Sequence, residues 1–349
     1  MKRLVVLTLV VALLVVALGA TGPTRAAEKR TLVVSTWGYN QELIDKNITE
    51  PFEEMYNVDI VYETGNNSER LSKLIERGDN PGVDVINLAG DYAYAAMEAG
   101  VLQPYDAEQL SNLDELYEWA QDPLGDQYGV GYAVSSLGLF YRTDEVEEPI
   151  TSWRDLWRED VKGYVTVPEM GTTQGASMLL MMAIAWGGDA DDLEPAWEKL
   201  PDLVPQLATT YRRSSEMISL VQQEEVLVGA YASYAWGGLL GTELPLEAVV
   251  PEEGLPGFLS VSSIVKGTEN EDLAHAYIDF LISHDVQLAE ALDLVDSPTN
   301  TTVTDIPEET AAMLTYGEDV VDALIFPDYA ETAKHKDEWV ERWNEIIAQ

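Results

Sequence analysis

GYVTVPEMGTTQGASMLLMMAIAWGG, residues 163–188, holds three local signals in a row. Tyr164, Val165, Thr166 and Val167 alternate and are β-branched or aromatic, which predicts a strand leaving at Pro168. From Ala176 to Trp186 the chain is rich in Met, Leu, Ala and Ile with no Gly or Pro, which predicts a buried helix. Between them lies a small polar loop, Glu169 to Gly175. The first turn of a helix leaves backbone N–H groups unpaired and carries partial positive charge. Thr172 and Thr173 can cap those groups or share them with a ligand's oxygens. A threonine in this place is as readily a plain cap, so the corner gains weight only where similar ones recur. It is not a nucleotide-hydrolysing phosphate loop, because no Gly-Lys-Ser/Thr follows the first glycine.

Similar corners do recur toward the N-terminus. Leu32–Thr36 is a predicted strand that ends in Trp37-Gly38-Tyr39-Asn40. A helix with Ile44, Ile48, Phe52 and Met55 on one face follows. Val58–Tyr62 is a second strand, and Gly65–Ser68 leads into a helix through Leu71, Leu74 and Ile75. A third strand over Val83–Leu88 ends in Ala89-Gly90-Asp91-Tyr92, and the next helix stops at Gly100, a left-handed cap. Strand alternating with helix predicts a parallel sheet covered by helices, with ligands beyond the carboxyl ends of its strands.

Toward the C-terminus, Tyr132–Tyr141 is a long strand with a polar centre at Ser135-Ser136, as expected of a chain crossing between two lobes. Thr151 or Ser152 caps a short helix over Trp153–Trp157, and another helix is expected around Met217–Gln223. Val226–Tyr231 is a strand ending in Ser233-Tyr234-Ala235-Trp236, a second polar and aromatic corner. Leu246–Val250 with Pro251-Glu252-Glu253-Gly254 reads as a second crossover. A strand at Ser260–Val265 and a helix at Asp272–Ser283, with Ala274, Tyr277, Ile278 and Leu281 inward, come next. Trp339, Trp343 and Ile347 form a core stripe on a last helix.

Composition narrows the function. Lys2 and Arg3, an apolar run from Leu4 to Leu18 and small residues up to Ala26 describe a secretory signal, too short to span a bilayer. There is no cysteine, which removes disulfides, thiolate metal sites, cysteine nucleophiles and a lipoprotein anchor. The 62 acidic residues against 20 basic exclude nucleic-acid binding. The acids are dispersed, and 46% of residues are apolar, so a folded protein with an acidic skin suited to salty, halophilic surroundings is expected. His275, His284 and His335 form no His-Glu-x-x-His motif, and His275 and His284 are expected at the surface. No Gly-x-Ser-x-Gly elbow is present. Neither catalytic residues nor a cofactor is expected; an exported hydrolase using two of the acids is the rival class.

Several pieces carry a resemblance: Ser35-Thr36-Trp37-Gly38-Tyr39, Asp84–Leu88, Ala99–Asp106, Thr151–Trp157 with Lys162-Gly163, and Val250–Gly254. In order and spacing they resemble the extracellular solute-binding proteins of ABC importers, in the spermidine/putrescine-binding group. The resemblance covers nearly all of residues 31–349. It implies an α/β, two-lobed periplasmic binding protein fold of type II-like form with two hinge crossovers. Residues 1–26 would be the signal peptide, 27–134 plus 254–300 the first lobe, and 135–253 plus 301–349 the second. It implies a periplasmic or extracellular monomer that captures a small solute between the lobes and delivers it to permease subunits. Candidate ligand contacts are Trp37, Tyr39, Asp91, Tyr92, Ser136, Glu169, Thr172, Thr173, Tyr231, Ser233, Tyr234, Trp236, Ser260 and Ser262. Polyamines need carboxylates for their ammonium groups and aromatic walls for their methylenes. Where polyamine binders of this kind place a Trp and an Asp, this chain has Ser260-Val261-Ser262, so one ammonium anchor is missing. An organic anion or phosphonate held at Thr172 and Thr173 stays open as the alternative. Metal is not expected: no adjacent Tyr pair of the iron-binding kind occurs, and Asp189, Asp191, Asp192 and Glu194 read as a solvated helix start.

Overall fold

The computed structural model describes residues 29–321 and 324–348, so the signal-peptide expectation lies outside the described residues. Strand β1 (Arg30–Thr36) pairs in parallel with β2 (Val58–Thr64) from Arg30↔Val58 to Thr36↔Thr64, and with β3 (Val85–Ala89) at Val34↔Val85. Between β1 and β2 run α1 (Gln41–Ile44), a π turn at Asp45–Thr49 and α2 (Glu50–Tyr56). The π turn adds a residue to the helical repeat, which rotates everything after it. Phe52 is therefore buried, while Met55, expected on the same face, is 65% exposed.

Helix α3 (Asn67–Arg77) follows β2, and α4 (Gly90–Glu98) begins directly after Ala89, the last residue of β3, without a loop. After β4 (Leu102–Gln103) comes β5 (Val130–Arg142), buried along its whole length. The second block holds β6 (Val165–Pro168), α5 (Gly175–Ala185), α6 (Glu194–Leu203), β7 (Leu207–Tyr211), α7 (Ser214–Gln222), β8 (Val228–Ala232) and β9 (Leu246–Val249). The chain returns through β10 (Leu255–Val265), α8 (Glu271–Leu281), α9 (His284–Leu292), β11 (Ser297–Pro298) and β12 (Leu324–Ile325) to α10 (Tyr329–Ile347).

The strand order β2-β1-β3-β10-β5-β8-β6-β7 places β5 at the centre of both lobes. Its first half pairs with β10 (Ser136↔Gly257 to Val130↔Ser262) and its second half with β8 (Leu137↔Ala232 to Tyr141↔Val228). Leu246–Val249 does not cross between lobes. It is an edge strand on the second half of β5, with Val249 opposite Leu139; the crossing follows it, through Pro251–Gly254 into β10. His275 is also not at the surface. It is 1% exposed, and its Nε2 accepts the Asp106 N–H at 2.8 Å, a use of a buried ring that periodicity alone did not reveal.

Helix α10 packs on α4 of the first lobe and also on α6 of the second, where Trp343 enters the core beside Trp197. A Cβ on Gly90 would lie 2.3 Å from the Tyr329 ring, so only glycine lets the start of α10 reach α4. Gly90→Ala is expected to push that ring away and cost about 1–3 kcal/mol. An unfolding midpoint in denaturant checks it, and an unchanged midpoint would show that Tyr329 yields freely. No helix among the described residues is long and apolar enough to cross a membrane.

Candidate functional site

The carboxyl ends of β1, β2 and β3 face those of β6, β7 and β8, as a parallel arrangement in each lobe requires. Side chains already meet across the gap. Asn67, at the start of α3, donates its amide to Thr173 Oγ1 at 3.2 Å. At the hinge, Ser233 Oγ accepts the Ser136 N–H at 3.3 Å, Thr315 Oγ1 lies 2.8 Å from Ser136 Oγ and 3.0 Å from Ser233 Oγ, and Ser297 Oγ accepts the Thr315 N–H at 3.0 Å. These short polar side chains close the floor of the cleft.

Above that floor, two narrow cavities of about 30 Å³ each meet at Asp296. The first-lobe cavity is lined by Trp37, Tyr39, Asn87, Tyr132 and Tyr277, the second-lobe cavity by Ser233, Tyr234 and Met313. Asp296 lies on the segment between α9 and β11, and the Tyr39 hydroxyl hydrogen-bonds to it. Tyr39 is 44% exposed, and desolvation, then repulsion from Asp296, raises the pKa of its hydroxyl well above the ordinary range. Burial, and then repulsion from Glu290, hold the Asp296 carboxyl well above the usual carboxylate range. Burial pushes the Glu290 carboxyl up to about 7. Among the described residues, no lysine or arginine forms an ion pair with Asp296. The neighbouring buried oxygens are also unsatisfied: Asn87 Oδ1, Ser262 Oγ and both Glu290 carboxylate oxygens have no hydrogen-bond partner. Ser262 pairs directly opposite Asn87 in the sheet, which sets the two side chains on one face.

Arg70 holds this end of the lobe together. It is fully buried on α3, with hydrogen bonds to the carbonyls of Gly65 (3.0 Å), Ser35 (3.1 Å) and Asn87 (2.6 Å) and to Asn67 Oδ1 (3.2 Å). Its guanidinium lies 4.9 Å from the Trp37 ring centroid. Burial lowers its pKa to about 10, so at neutral pH it remains a cation. One side chain thereby ties the ends of β1, β2 and β3 to the ring that walls the cavity.

The other expected contacts are distributed unevenly. Glu169 is held by Arg212 Nε at 2.7 Å, with the Thr210 hydroxyl at 3.4 Å. Asp91 pairs with Lys336 of α10, whose ammonium also lies 4.0 Å from the Tyr92 ring centroid. The two acids expected to hold ammonium groups are thus already neutralised within the chain. Thr172 gives its hydroxyl to the Glu169 carbonyl at 2.7 Å, a local cap. Tyr231 and Trp236, 5.2 Å apart, pack into the second-lobe core with Phe140, whereas the Tyr234 hydroxyl accepts from Gln174 at 2.7 Å beside the cleft. Ser260 hydrogen-bonds to Tyr132. Sequence reasoning missed Asp296, Glu290, Arg70 and Asn87. The one available signal for Asp296 was an acid between Val295 and Ser297-Pro298, near the end of the 254–300 segment expected to return to the first lobe.

A family model described as bacterial extracellular solute-binding protein matches residues 47–315. The spermidine/putrescine-binding periplasmic protein of Salmonella typhimurium is 26% identical over 340 residues, covering 93% of this chain and 90% of that protein. A crystal structure of an ABC transporter from Clostridium perfringens is 33% identical, with a TM-score of 0.81, covering 90% of this chain and 99% of that one. The structure of the Atu4243-GABA receptor, 21% identical, has a TM-score of 0.79 over 92% of this chain and 98% of its own.

Proposed function

Because the chain belongs to the bacterial extracellular solute-binding protein family, the non-enzymatic binding component of ABC importers, we propose that its solute is a small polyamine of the putrescine and spermidine class. Asp296 carries this reading: a half-buried carboxylate lining both cavities, with a tyrosine hydroxyl but, among the described residues, no cation paired with it. The unpartnered atoms around it include an amide oxygen and two carboxylate oxygens. The amide oxygen can only accept, as do both Glu290 oxygens once that group is ionised, and an ammonium group offers three donors and no acceptor. Trp37, Tyr39, Tyr132 and Tyr234 supply faces for methylenes and for cation–π attraction. Asp296 thus takes the part of the anchor absent at Ser260–Ser262. An organic anion would meet these same oxygens with repulsion, and the Thr172 hydroxyl it needs is committed to a local turn.

The relatives named for spermidine and putrescine support the class, and the fold neighbour named for GABA marks how widely the fold's solutes vary. In this reading the lobes are 27–134 plus 254–300 and 135–253 plus 301–349, the 1–26 segment directs export, and a monomer closes over solute about β5 and the run into β10 before docking to its permease. A thermal-shift and calorimetric panel of putrescine, spermidine, 4-aminobutyrate and a phosphonate tests it. Polyamines are expected to raise the melting temperature and bind most tightly, and a phosphonate that binds while polyamines do not would refute the reading. Trp37→Ala is expected to weaken polyamine binding about tenfold through loss of the aromatic wall; unchanged affinity in calorimetry would remove Trp37 from the site.

A further inference from the structure

Behind Asp296 the cleft continues into a smaller cavity of about 10 Å³, which shares Tyr132, Leu281 and Asp296 with the first and adds Gln287, Glu290 and Ser297. Glu290 is 5% exposed and neither carboxylate oxygen has a partner. Most of the donors nearby are committed elsewhere, although the Asn47 amide still lowers the Glu290 carboxyl somewhat. The Asn47 amide beside Glu290 is turned to Asp293 at 2.9 Å, and the Lys46 ammonium pairs with the same carboxylate at 2.6 Å. Gln287 gives its amide to the Tyr132 carbonyl and Thr299 hydroxyl, and its oxygen accepts from the Thr299 and Asn300 N–H groups. Tyr62 and Tyr277 bond to one another, and the Tyr39 hydroxyl is on Asp296. Two acids that repel across one cavity, with Glu290 steadied only by the nearby Asn47 amide and the more distant Lys46 charge, form an arrangement that proteins complete with a cation.

We propose that Glu290 and Asp296 form a buried subsite for one monovalent cation, filled by the terminal ammonium of the solute or by a free alkali or ammonium ion. The ammonium source rests on the polyamine reading; the free-ion source does not. A cavity of about 10 Å³ admits roughly one water-sized group, which suits Na⁺, K⁺ or a primary ammonium and excludes a tetramethylated one. The lining is oxygen, as hard cations require. No group of three or more metal-ligating side chains exists among the described residues, so the charge and ligand count fall short of a calcium site.

Melting temperatures of the full chain, wild type and Glu290→Gln, are compared at pH 8 and constant ionic strength in sodium, potassium, ammonium and tetramethylammonium chloride. Putrescine and butylamine affinities are measured on both proteins. If a free ion fills the subsite, the small cations raise the wild-type melting temperature several degrees above the tetramethylammonium value, and Glu290→Gln erases that difference. If the solute's own ammonium fills it, the salts are equivalent. Glu290→Gln then weakens putrescine at least tenfold and butylamine less. Identical responses of both proteins to every salt and amine overturn the proposal. Should Glu290→Gln fail to fold, anomalous diffraction from wild-type crystals grown with Rb⁺, with and without putrescine, decides: neither rubidium nor ammonium between the two carboxylates overturns it. Polyamines that fail to bind wild type while the salt difference persists would refute the polyamine reading and leave the subsite standing.

Discussion

Asp296→Asn is expected to weaken spermidine and putrescine binding about a hundredfold, with no loss of stability in the solute-free protein. A hydrogen bond to a charged group contributes about 1.5–3 kcal/mol, and each 1.4 kcal/mol is a tenfold change in affinity. Asp296 stands at the upper end because its carboxyl is partly desolvated between the two cavities, which strengthens its attraction for an ammonium group. The same desolvation makes the empty carboxylate costly, and the sign of that cost is testable. Asp296 and Glu290 both have folded-state pKa values raised above their unfolded ones. Below the unfolded values each is protonated in both states and nothing is lost. As pH rises, the unfolded chain releases its protons first, so the folded state loses stability progressively. For Glu290 the loss falls between 4.5 and about 7 and, at 1.36 kcal/mol per unit, is on the order of 3 kcal/mol. Asp296→Asn removes the Asp296 share and eases the Glu290 share by deleting the repelling charge. Calorimetry with each polyamine, together with melting curves from pH 4 to 8, reads both effects. Unchanged affinity would sink the anchor assignment, and a melting temperature that rises steadily with pH would sink the account of the empty site.

Arg70→Leu is expected to cost about 3 kcal/mol of stability and to impair solute binding with it. Deleting the guanidinium takes a donor from the carbonyls of Gly65, Ser35 and Asn87 and from Asn67 Oδ1, which keeps the Ala89 N–H at 3.3 Å. Each buried acceptor left without a donor costs about 1–3 kcal/mol. Part of this is offset, because a cation with no paired carboxylate leaves the interior and its desolvation cost goes with it. Arg70→Lys rescues little, since a point-like ammonium cannot span acceptors on three strand ends as the planar fork does. The loss also frees the Trp37 ring and Asn67, so affinity falls although Arg70 itself touches no solute. Denaturant unfolding measures the first effect and calorimetry at a temperature where the variant is folded measures the second. A midpoint shift corresponding to less than about 1 kcal/mol would mean that water satisfies those carbonyls.

Much of the fold was legible from local sequence. The β-branched run at Val58–Tyr62, the long apolar and aromatic run at Tyr132–Tyr141, the inward face of α8 and the Gly100 stop each follow from side-chain pattern, helical periodicity or a positive φ at glycine. The failures also have local causes. Met55 left the core because a π turn changed the helical repeat upstream of it. Leu246–Val249 reads as a strand in any setting, and only its pairing with β5 shows that it stays inside one lobe. His275 sits among acidic neighbours in sequence yet faces a loop from another part of the chain.

The sequence by itself determined the α/β elements, because strand, helix and turn preferences act over a few residues, and the family, through the resemblance carried by pieces such as Ser35–Tyr39 and Val250–Gly254. Only the tertiary structure decided which acids in the cleft are free. Asp91 is answered by Lys336, 245 residues away, and Glu169 by Arg212, 43 away, while among the described residues Asp296 receives a tyrosine hydroxyl and no ion pair. In a chain with 62 acids, composition cannot separate a carboxylate that is paired from one that waits for a ligand. That distinction depends on which cation the folded chain brings within about 4 Å and how little water remains beside it.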